Sequence, residues 1–116
     1  MSNHPVIGIV GPCKAGKSTL AANLAKQGYQ AHQIAQEHSF APSMWQKISN
    51  PDLLIFLNCS YESSVDRGLH WLPSEYEEQQ RRLVHAHEHA DLLLETDKET
   101  PETIANMALD FIQSVS

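Results

Sequence analysis

Val6-Ile7-Gly8-Ile9-Val10-Gly11-Pro12-Cys13-Lys14-Ala15-Gly16-Lys17-Ser18-Thr19-Leu20 decides how the chain is read. Val6–Val10 is a short apolar run that stops at Gly11, as a buried strand does. From Lys17 to Gln27 the pattern turns helical, with Leu20, Ala21, Leu24 and Ala25 on one face. Gly28 then stands just past the helix end, where a left-handed residue is favoured. Strand, glycine-bounded loop and helix in this order open a βαβ unit.

Working outward, Ala31–Ala35 reads as a second, weaker strand, and Pro42 suits the first turn of a short helix with Met44, Trp45 and Ile48 on its apolar side. Asn50-Pro51 breaks the chain before Asp52–Asn58, whose Leu-Leu-Ile-Phe-Leu run lacks alternation. A strand of that kind is covered on both faces, as in parallel sheets between helices. Ser60 can cap a short helix running to Gly68, and Gly68–Pro73 reads as a loop carrying His70 and Trp71. Ser74-Glu75-Tyr76-Glu77 has the spacing of a capping box and opens a helix to about His89. Leu92–Leu94 gives another buried strand. Thr100-Pro101 starts a last helix in which Ile104, Ala105, Ala108, Ile112 and Val115 recur at helical spacing. Four apolar strands separated by helical segments imply an α/β domain with a parallel sheet and right-handed crossovers.

The 116 residues make one domain of ordinary size, with no repeat and no linker. A net charge of −6 with a pI of about 5.5 argues against a surface that coats nucleic acid. The longest apolar run, Leu53–Leu57, is far below the ~20 residues that span a bilayer. Met1–Pro5 lacks the basic start and long apolar stretch of a signal peptide. Cys13 and Cys59 show no paired zinc spacing and are too few for a disulfide scaffold. These features together read as a soluble cytoplasmic domain without membrane or nucleic-acid partners.

Gly11-Pro12-Cys13-Lys14-Ala15-Gly16-Lys17-Ser18 fits G-x-x-x-x-G-K-[ST] at every fixed position. Chance produces that in well under about one chain in a hundred of this size. Glycines let the backbone curl so that successive N–H groups converge on phosphate oxygens, and the following helix adds its free amides and positive dipole end. Lys17 can then reach the β- and γ-phosphates of a nucleoside triphosphate, and Ser18 can place its hydroxyl on Mg²⁺.

With these residues in place the sequence resembles the P-loop kinases of nucleoside monophosphates and small metabolites. Leu53–Asn58 followed by Ser60-Tyr61-Glu62 is similar to their strand–helix segment after the catalytic strand. Arg81-Arg82-Leu83, His89-Ala90-Asp91-Leu92, Glu95-Thr96-Asp97 and Thr100-Pro101-Glu102 are similar to their stretch from lid to last helix. The resemblance implies a three-layer P-loop NTPase fold with strand order 2-1-3-4. It further implies a phosphate site over Gly11, Pro12, Cys13, Lys14, Ala15, Gly16, Lys17, Ser18 and Thr19 that takes ATP or GTP with Mg²⁺ (the Walker A loop), a mobile lid over about 67–82, and an adenine-contacting loop near Asp97–Pro101. Two features depart from the family. Only Gln36–Pro51 separates the second and third strands, so the long substrate-binding insertion is absent. No apolar strand ends in Asp-Gly to supply the Walker B acid; Gln36-Glu37-His38 follows the second strand, and Glu37 takes that place if the strand lies beside the first.

Glu37 is therefore the candidate for holding a water on Mg²⁺, or for accepting a proton from a substrate hydroxyl. Arg67, Arg81 and Arg82 fall in the implied lid, where guanidinium forks suit a transferring phosphoryl group. The competing reading of Arg81 and Arg82 is helix support, since Glu77–Arg81 and Glu78–Arg82 are both i,i+4 pairs. His85-Ala86-His87-Glu88-His89 offers two histidines on one face, short of the four ligands of structural zinc, and reads as a polar helix face. Trp45 reads as core. Cys13 reads as a small loop residue. No N-K-x-D motif supports a G-protein. The expected function is phosphoryl transfer to a small-molecule acceptor; the alternative is a nucleotide-sensing module of degenerate kinase fold without transfer.

Overall fold

The computed structural model describes residues 5–12, 15–36, 43–48, 51–66 and 72–115. In chain order these form β1 (Val6–Val10), α1 (Lys17–Lys26), β2 (Gln30–Gln33), α2 (Met44–Ile48), β3 (Leu53–Asn58), α3 (Tyr61–Asp66), α4 (Pro73–His89), β4 (Leu92–Glu95) and α5 (Pro101–Val115). The four strands make one parallel sheet in the order β2-β1-β3-β4, with Ile9 beside both Gln33 and Ile55. The fold is α/β with helices flanking the sheet, in the strand order expected.

Alternation along the two central strands fills two cores. Ile7 and Ile9 of β1 and Ile55 and Leu57 of β3 face one side, where they meet Leu20 and Leu24 of α1 and Ala108 and Ile112 of α5. Val10, Leu54 and Phe56 face the other, against Trp45 of α2 and Leu83 and Ala86 of α4. Both faces of β3 are thus covered, which is why its apolar run does not alternate with polar residues. Carboxylates finish the strand starts: Asp52 accepts the Val6 N–H at 2.8 Å and Asp91 accepts the Leu54 N–H at 2.8 Å.

Several boundaries differ from those read in the sequence. β2 runs over Gln30–Gln33 rather than residues 31–35, because the Gln36 N–H bonds back to the Ile34 carbonyl at 2.9 Å and turns the chain. α4 opens at Pro73, before the expected box. Proline is preorganised for the first helical position, Leu72 stands before it, and Glu75 rather than Glu77 accepts the preceding backbone N–H, that of Leu72 at 3.3 Å. On α5, Val115 is half exposed and outside the buried stripe, as is Ala25 at the end of α1. The Ser60 cap forms as read, accepting the Ser63 N–H at 3.2 Å, and the last helix starts at Pro101 with the Thr100 hydroxyl accepting the Thr103 N–H at 3.1 Å. Among the described residues no helix is long and apolar enough to cross a membrane.

Candidate functional site

The loop between β1 and α1 begins at the carboxyl end of an inner strand. Gly11 has φ +154°, and a Cβ there would stand 2.2 Å from the Leu57 carbonyl oxygen. The β3 backbone passes so close that only glycine lets the chain leave β1 at this point. Gly16 caps α1 at φ 97° and ψ 22°, with no side chain bonded to the helix end.

The first helical bond inside α1 runs from the Leu20 N–H to the Gly16 carbonyl at 3.0 Å. The amides of Lys17, Ser18 and Thr19 precede it and are not consumed by the helix. No acidic residue lies in this first turn, although that is where Asp and Glu are favoured. A helix start with a glycine N-cap and no carboxylate in its first turn fits an external anion. Ser18 and Thr19 are exposed at this end.

Lys17 is buried to 8% exposure, and its ammonium donates to the Gly11 carbonyl at 2.7 Å and the Pro12 carbonyl at 3.4 Å. A helical residue has thereby laid its side chain back across the loop, placing a positive charge between the loop and the helix start.

Beside that turn lies a cavity of about 350 Å³. Ala15, Gly16, Thr19 and Leu20 form one wall; Thr96, Glu99, Pro101 and Ile104 form the other. The second wall is the loop from β4 into α5, held by Thr96, whose N–H and hydroxyl reach the Asn58 carbonyl at 2.8 and 3.1 Å. Asp97 accepts the Ser60 N–H at 2.9 Å, so it ties this loop to the end of β3. The cavity therefore joins the loop of the sequence motif to the stretch that the resemblance assigns to a nucleotide base.

Of the other candidates, Cys13, Lys14, Glu37, Arg67 and Trp71 lie outside the described residues. β2 does pair with β1, which meets the condition attached to Glu37. Of the implied lid, residues from Pro73 on belong to α4. Arg81 projects from that helix, exposed and bonded to Glu78 rather than Glu77, and Arg82 meets the same carboxylate at 3.3 Å. Their guanidinium groups hold the Glu78 carboxyl below its ordinary range.

His85 and His89 stack at 4.2 Å, and His85 Nδ1 accepts the Trp45 indole N–H at 3.1 Å. His87 meets Phe56 edge-on at 5.0 Å. His85 and His89 thus meet α2 and His87 meets β3, and no group of three metal-ligating side chains occurs among the described residues. Gln36, fully buried, accepts the Trp45 backbone N–H at 2.9 Å and donates to the Arg82 carbonyl at 3.3 Å.

Thr96 and Ile104 were not marked as site residues by the sequence, and Glu99 entered only as part of the base-contacting loop that the resemblance implied near Asp97–Pro101, because a cavity wall shared by distant segments leaves no local pattern. The chain matches no family model, and no curated protein matches it significantly.

Proposed function

We propose that this protein binds a nucleoside triphosphate, ATP or GTP, with Mg²⁺ in the Gly11–Thr19 loop, as a small P-loop NTPase. The observation that carries the reading is the Lys17 ammonium lying across its loop at a glycine-capped helix start, next to a cavity of about 350 Å³. The loop amides and Lys17 would hold the β- and γ-phosphates, Ser18 would offer its hydroxyl to the metal, and Glu37, which follows β2 in the sequence, would supply the acid. The bound Mg²⁺ would neutralise charge on the phosphates.

In this reading the γ-phosphoryl group passes to a small-molecule acceptor, and an arginine meets the developing charge. Arg81 can do so only by leaving Glu78, which makes Arg67 the better candidate. A reducing cytoplasm suits the buried Cys59 thiol. The sensor alternative draws on Gln36, whose amide is spent on α2 and α4 rather than offered to a nucleotide. Nucleotide binding without turnover on any acceptor would favour it.

Calorimetric titration of the wild type and Lys17→Ala with Mg·ATP and Mg·GTP tests the site. Binding that falls at least about a hundredfold in the variant is expected for loss of a charge-assisted contact to phosphate. Equal binding by both proteins would remove Lys17, and with it this reading.

A further inference from the structure

The cavity beside α1 is apolar over much of its wall, where Leu20, Pro101 and Ile104 contribute hydrocarbon. Three of its lining side chains carry polar atoms: Thr19, Thr96 and Glu99. The Thr96 hydroxyl is spent on the Asn58 carbonyl. Glu99 is exposed, and among the described residues nothing pairs with its carboxylate. No Lys or Arg among the described residues lines the cavity.

An ionised carboxylate is an acceptor only, with two oxygens side by side. A ligand group facing it must bring N–H or O–H donors and must not itself be anionic. The triphosphate therefore belongs at the amides of the α1 start, and a neutral ring belongs against Glu99. Guanine presents N1–H and the N2 amino group next to each other, two donors that match the two carboxylate oxygens. The corresponding edge of adenine sets one donor, the N6 amino group, beside the N1 lone pair, which opposes the second oxygen.

We propose that Glu99 reads the base of the bound nucleotide and makes the cavity selective for guanine over adenine. This rests on the triphosphate site described above and adds to it the identity of the base. Glutamine at this position would reverse the pattern on one side of the pair. An amide offers one donor and one acceptor, which suits adenine and disrupts the guanine match.

The test is calorimetric titration of wild type and Glu99→Gln with Mg·GTP, Mg·ITP and Mg·ATP, with Lys17→Ala in parallel. Inosine lacks the N2 amino group and isolates one of the two bonds. In the wild type GTP should bind about 5- to 150-fold more tightly than ATP, the range for one bidentate contact, with ITP between them. In Glu99→Gln the ratio should move at least about tenfold towards ATP. If ATP matches or exceeds GTP, or if the ratio is unchanged in Glu99→Gln, the base assignment is overturned. Should those triphosphates still bind in a Lys17-dependent way, the phosphate site survives that result. If no triphosphate binds at all, both readings fall together.

Discussion

Gly11 and Gly16 stand at the two ends of the same loop for different reasons. At Gly11 a methyl group would collide with the Leu57 carbonyl, whereas at Gly16 it would meet nothing within 4 Å among the described residues and face an unfavourable φ. Gly11→Ala should therefore lose more than about 3 kcal/mol, since β1 or β3 must shift to admit the Cβ. Gly16→Ala should lose about 1–2 kcal/mol, the usual penalty of a left-handed non-glycine residue. Urea unfolding of both variants separates them, and equal losses would contradict the close approach of β3 to the loop. The motif announced both glycines, but only the fold distinguishes them. Spacing records that a glycine is present and is silent on whether sterics or dihedral demand it. Glu99 shows the converse: it belongs to no fixed motif position, and its place on a cavity wall shows only once the loop after β4 stands beside the start of α1.

At the level of elements, α4 is fastened at both ends. Its first turn places the Tyr76 hydroxyl on the Cys59 carbonyl at the end of β3, and its last turns hold Trp45 through His85. Burial chiefly, with nearby Cys59 and Asp97 adding to it, pushes the Tyr76 phenol above its ordinary 10.0, while the neighbouring Gln80 side chain opposes them. The folded protein thus keeps the phenolic proton at a pH where the unfolded chain releases it. The stability this supplies is whole below pH 10.0 and is lost as the pH climbs through the raised value. The stability gap between wild type and Tyr76→Phe should stay level from about pH 7 to 9 and shift against the wild type above that. A gap that does not change into the alkaline range would show that Tyr76 is no more confined than in the unfolded chain. The helix itself was legible from periodicity and ended at His89 as read. Its start was not, because the Ser74–Glu77 spacing fits a capping box, whereas the observed start rests on Pro73 in the first helical position and on Glu75 reaching the Leu72 N–H. The role of the histidines was also hidden: their helical spacing is plain, but the indole they meet comes from α2, about forty residues away.

For the whole molecule, the sequence order of apolar runs and helical segments was enough to give an α/β sheet, and the resemblance supplied its order. What periodicity could not give is where the two halves of the cavity meet. That follows from α1 and α5 sharing one face of the sheet, with the loop after β4 arriving beside the start of α1. The central claim is that these two segments form one ligand site. Amide-resolved NMR titration with Mg·GTP and Mg·ATP tests it most directly in a chain of 13.0 kDa. The account predicts saturable shift changes concentrated at Gly11–Leu20 and Thr96–Ile104, with the α2–α4 core around Trp45 and Leu83 little affected. Changes confined to α4, or none in either segment at saturating nucleotide, would contradict it.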